Sequence, residues 1–144
     1  MAVTSGIPSG NTLFTFTCSN VQVIDSFGNP AQILATGSSF NVSTDLVFAG
    51  SLAPTFIVPL LQFLGTIYTA TYSVESETGG FSGTLGVDTS TIAGLTTTST
   101  LTVPAGTLAP DVYELTAVVT FAVPGFGTIP VTGFFSDADI QVTT

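Results

Sequence analysis

Tyr113-Glu114-Leu115-Thr116-Ala117-Val118-Val119-Thr120-Phe121 sets Tyr, Leu, Ala, Val and Phe at every second position, with Glu114, Thr116 and Thr120 between them. Side chains of an extended strand alternate between two faces, so this spacing buries one face and wets the other. The same alternation recurs upstream. Phe40-Val42-Thr44-Leu46-Phe48 stands against Asn41, Ser43 and Asp45, and Tyr68-Ala70-Tyr72-Val74 against Thr69, Thr71 and Ser73. Less regular strand candidates run over 13–24, 81–87, 97–103 and 128–142. Turn chemistry separates them at Gly28-Asn29-Pro30, Gly79-Gly80, Pro104-Ala105-Gly106 and Pro124-Gly125-Phe126-Gly127. No long stretch carries the helical period. The pattern predicts an all-β chain, an antiparallel Greek-key sandwich of about 7–8 strands.

One segment narrows the architecture. Ala109-Pro110-Asp111-Val112-Tyr113-Glu114-Leu115, continuing to Thr120, resembles the penultimate strand of immunoglobulin-like β-sandwiches. In that superfamily a tyrosine near the strand start, two residues before a core position, closes the corner with its hydroxyl. Tyr113 and Leu115 match that spacing, and 97–103 matches the strand before it. The cysteine pair and core tryptophan of antibody domains are absent, since the chain has one cysteine and no tryptophan. The resemblance implies the immunoglobulin-like fold and no particular family within it.

The composition excludes more than it assigns. The chain has 144 residues, none of them Lys, Arg or His, and a net charge of −9. An average soluble protein of this length carries about 17 Lys and Arg. Nothing here neutralises phosphates, so nucleic-acid binding by counterion release is excluded, as is docking on an anionic membrane surface. Triads that use histidine as base, lysine Schiff bases and imidazole metal sites are impossible. A lone Cys18 provides neither a disulfide nor a thiolate cluster, and its place in Phe14-Phe16-Cys18 reads as a small buried hydrophobe. No cofactor is implied and the chain is not expected to be an enzyme. A carboxylate-pair mechanism would need two acids in one cleft, and the alternation puts the acids on strand exteriors and in turns. Trypsin-like proteases have no cleavage site.

The length suits one domain, 12–144, preceded by a flexible arm over 1–11 that contains two glycines and a proline. Met1–Pro8 has neither a basic nor an apolar signal region, so no secretory signal is expected in it. The uncharged run from Leu46 to Val74 is long enough to suggest a membrane span. Pro54, Pro59, Gly50, Gly65 and Gln62, with no flanking cations, argue against one. Asn41-Val42-Ser43 has the form of a glycosylation sequon, but inside a predicted strand.

Two stretches present apolar groups where contact with a partner is expected. In the segment between the strands at 40–48 and 68–74, Phe56, Ile57, Leu60, Leu61 and Phe63 either form an exposed loop patch or pack inside as an additional core strand or a short buried helix, interrupted by Pro59. Near the C-terminus, Val131, Phe134 and Phe135 belong to a strand expected at a sheet edge, open to strand addition. Asp137 and Asp139 fall far short of the ligand set calcium requires.

With 6% charged and 44% hydrophobic residues, the composition favours a self-assembling structural subunit of an extracellular fibre, pilus-like appendage or coat. Its partner would be the chain itself. The alternative is an adhesin or carbohydrate-binding sandwich, with a glycan as partner. Tyr68, Tyr72 and Tyr113 are expected to point inward, which leaves few aromatics for stacking on sugars. Either role places the protein outside the cell or on its surface.

Overall fold

A computed structural model describes residues 4–6 and 13–144; for 4–6 and 128–137 the description is of the backbone. Nine strands among the described residues form two facing sheets. The first has four strands in the order β1 (Thr4–Gly6), β2 (Thr15–Ile24), β4 (Phe40–Ala49) and β7 (Thr96–Val103). The second has five, in the order β3 (Ile33–Ala35), β9 (Gly127–Thr143), β8 (Asp111–Val123), β5 (Ile67–Ser76) and β6 (Ser82–Thr91). All pairings are antiparallel except β3 on β9. The chain crosses between sheets after β2, β3, β4, β6 and β7, which is the immunoglobulin-like sandwich expected. The two additional strands, β1 and β3, are three residues long and show no period to read.

Alternation becomes burial as the sequence requires. On β8, Tyr113, Leu115, Ala117, Val119 and Phe121 are buried, and on β5 so are Tyr68, Ala70, Tyr72 and Val74. The sheets meet at Phe16 and Phe48 from one side and Phe121 from the other, with ring centroids 4.9–5.6 Å apart. The edge-to-face pair Phe16–Phe121 has the geometry aromatic quadrupoles prefer. Cys18 is fully buried and free, and burial pushes its thiol up to about 12, so it packs as an inert hydrophobe.

The corner implied by the resemblance is present. The Tyr113 hydroxyl donates to the Ala109 carbonyl at 2.7 Å and ties the entry of β8 to its own strand. A second polar tie joins the sheets on the far side. Asp88 on β6 accepts from the hydroxyls of Tyr68 (2.8 Å) and Ser99 (2.7 Å), and Tyr72 donates to Ser99 at 2.9 Å. Without a cation available, hydroxyls satisfy this carboxylate.

Three stretches read in the sequence take definite form here. The segment after β4 is not a loop: Ala53–Ile57 makes one π-helical turn and Val58–Phe63 a short helix, α1, with Pro59 in its first turn, where proline is tolerated. The uncharged run from Leu46 to Val74 is therefore strand, helix and strand, and no helix among the described residues is long and apolar enough to cross a membrane. Of the expected arm, Thr4–Gly6 lie along β2 as β1, while 1–3 and 7–12 are outside the described residues.

Candidate functional site

The crossing from β2 to β3 builds the main concavity. β2 bulges between Ser19 and Gln22, where Asn20 takes a left-handed backbone with φ of 55°. Bulges re-aim side chains, and a non-glycine residue at positive φ stores strain that its surroundings must hold. Here the side chains hold it: the Asn20 amide donates to Asp45 at 3.2 Å, and the Gln22 amide donates to Asn20 at 2.9 Å. Beyond β2 the chain reverses tightly. The Asp25 carboxylate accepts from the backbone N–H of Phe27 and of Asn29, each at 2.9 Å, and Gly28 supplies the positive φ at 86°. Pro30 then bridges back to Ile24, and Ala31 N–H donates to the Val23 carbonyl at 2.8 Å before the chain enters β3.

What remains between the bulged strand, this crossing and β9 is a cleft of about 390 Å³. Gln22, Gln32 and Asp139 supply its polar lining; Val21, Val23, Pro30, Ala31 and Ala138 form its apolar walls. A second concavity of about 220 Å³ adjoins it, sharing Gln32 and Asp139 and extending past Ile33 and Gln141. Gln32 and Asp139 stand at both concavities, and the bond from Gln141 N–H to the Gln32 carbonyl (2.8 Å) ties the crossing to β9 there. Among the described lining residues of the main cleft, Asp139 alone is titratable, and a single carboxylate lacks the second acid or base that general acid–base chemistry needs. No group of three or more His, Cys, Asp or Glu among the described residues is gathered to hold a metal ion. The arrangement suits binding.

None of the residues singled out in the sequence as interface candidates lines this cleft. Ile57 and Leu61 are half-buried, with Leu61 packed on the core, whereas Phe56, Leu60 and Phe63 face solvent at the opposite end of the sandwich. The side chains of Val131, Phe134 and Phe135 lie outside the described residues; their backbone belongs to β9, where Phe134 pairs with Val118 and Phe135 with Ala117. β3 covers β9 at Gln141–Thr143, and the earlier part of β9 has β8 as its one ladder neighbour among the described residues. Sequence reading missed Gln22 and Gln32. The only signal for them was a break in the alternation at Asn20, which marks a bulge but does not say what the bulge faces.

No protein-family model and no curated protein matches the chain. Solved structures do. The crystal structure of the C-terminal domain of Wzt superposes with a TM-score of 0.60 at 12% identity, covering 99% of this chain and 78% of that one. A β-glucosidase from Listeria innocua, solved in complex with glucose, gives a TM-score of 0.44 at 12% identity over 91% of this chain and 16% of its own. The first of these likenesses establishes the immunoglobulin-like sandwich as the fold of this chain.

Proposed function

We propose that the chain is a non-catalytic binding module that holds a neutral, polyhydroxylated ligand, an uncharged stretch of glycan, in the cleft between β2 and β9. The observation that carries this reading is that Gln22, Gln32 and Asp139 line one concavity whose other walls are aliphatic. Sugar hydroxyls donate and accept at once, and a primary amide matches them with two donors and an acceptor. A carboxylate takes further hydroxyl donors through charge-assisted bonds. Val21, Val23, Pro30 and Ala31 provide the apolar surface on which the C–H faces of a sugar ring rest. Anionic ligands are disfavoured, because a chain of net charge −9 with no cation offers them no partner. Deployment outside the cell or on its surface follows from this role and from the lack of trypsin-like cleavage sites.

The test is a screen of the 144-residue chain against immobilised neutral glycans, followed by titration calorimetry with the best of them. Gln22→Ala and Gln32→Ala are each expected to weaken binding about tenfold, the equivalent of about 1.4 kcal/mol. Binding unaffected by the double substitution would remove the cleft from the reading, and no binding to any neutral glycan would remove the reading itself.

A further inference from the structure

We infer that the end of the sandwich opposite the cleft is a self-association surface, on which two copies of this chain pair end to end; the inference is independent of the glycan reading. The strand registers place the start of β2, the α1 segment, the β6–β7 loop and the β8–β9 hairpin at one end of the molecule. Phe63 and Phe126 are 87% and 84% exposed there, and Phe56 54%. Leu60, Leu64 and Leu95 are also exposed at this end. α1 is fixed to the β6–β7 loop by the Gln62 amide, which donates to the Ala93 carbonyl at 3.0 Å, so the apolar groups sit on a tied surface.

Two arguments make a second copy the occupant. The first is area. At about 150–250 Å² per aromatic side chain, the three phenylalanines alone present roughly 450 Å². With the leucines beside them, each about two-fifths exposed, the end presents roughly 650 Å², near the share of one partner in a standard interface and at the upper limit of the largest patch of a typical monomer. The second is charge. No acid occurs over 46–74, 89–110 or 115–136, the stretches that build this end. Asp45 and Asp88, the acids nearest it, are engaged by Thr98 at 2.8 Å and by Tyr68 at 2.8 Å. Pairing uncharged ends therefore keeps the carboxylates of two copies apart, whereas pairing through the acid-bearing face of β5, β8 and β9 brings them together. A lipid surface fits less well, since a chain without one cation is repelled by anionic headgroups. The resulting dimer points its two clefts in opposite directions and is bivalent.

Sedimentation velocity on the 144-residue chain tests this. At about 100 µM a dimer is expected, a concentration at which an interface of this size is populated if Kd is micromolar. Its mass would be twice 14.6 kDa. Phe63→Asp and Phe126→Asp should each weaken dimerisation at least tenfold. Phe27→Asp, equally exposed at the other end, should leave it intact. Far-ultraviolet circular dichroism and melting of each variant confirm that folding is retained, and only folded variants are scored. A wild-type chain that stays monomeric, an association that survives both aspartates, or one that Phe27→Asp abolishes would overturn the proposal. So would a monomer that floats with phosphatidylcholine vesicles through Phe63, which would make the end a lipid-facing surface.

Discussion

Tyr113 and Thr66 show how one hydroxyl stabilises or burdens the same sandwich. Tyr113 is buried with its hydroxyl bonded to Ala109, so Tyr113→Phe removes a satisfied bond and should cost about 1 kcal/mol in chemical denaturation. Thr66, at the junction of α1 and β5, is 1% exposed, and its Oγ1 has no hydrogen-bond partner. Replacing it by valine keeps the shape and removes a desolvated polar atom, so Thr66→Val should stabilise by about 1 kcal/mol, a rise of roughly 2–4 °C in Tm. The tyrosine was legible in the sequence because its spacing to Leu115 is a local property. The threonine was not, because burial at an element junction depends on what the rest of the chain places over it.

Elements explain where the acids can stand. Glu75 on β5, Glu114 on β8 and Asp139 on β9 are directly opposite one another in register, all on the exposed face of the five-stranded sheet. Like charges across a ladder repel, and this chain has no lysine with which to alternate them. Glu114→Gln relieves both contacts at once. It is expected to raise Tm by about 1–3 °C at low ionic strength, and the gain should close near 1 M salt, where the Debye length is about 3 Å. The alternation in β8 put Glu114 on the wet face; only the registers of β5 and β9 put two more carboxylates beside it. The α1 segment makes the same point. Its apolar composition was compatible with a loop, a core strand or a helix, and the fold takes a helix with Ala53 and Val58 buried and Phe56 and Phe63 exposed.

At the scale of the whole molecule, charge of one sign controls the response to pH. Strong acid neutralises carboxylates, and this chain has no Lys, Arg or His side chain to carry a positive charge in their place. Acid therefore removes repulsion without creating the opposite kind. One group works against this trend. The hydroxyls of Ser76 and Thr78 and the N–H of Val112 hold the Asp111 carboxyl below the usual carboxylate range. Its stabilisation is present above about pH 4 and is lost as the pH falls through the lower folded value, but solvent screening keeps it small. Circular dichroism at pH 2.5 is expected to retain the β spectrum while light scattering rises, as uncharged apolar ends associate; an unfolded, monodisperse chain would contradict this. The seven longer strands, their inward faces and the exclusion of basic chemistry were determined by the sequence alone, because period and composition are one-dimensional, and the Tyr113 corner was implied by the resemblance that its spacing to Leu115 carries. The cleft of Gln22, Gln32 and Asp139 and the separation of an apolar end from a charged one were decided only by the tertiary structure. The cleft joins residues more than a hundred positions apart and the apolar end joins Phe56 to Phe126, and strand register, which no local pattern encodes, brings them together.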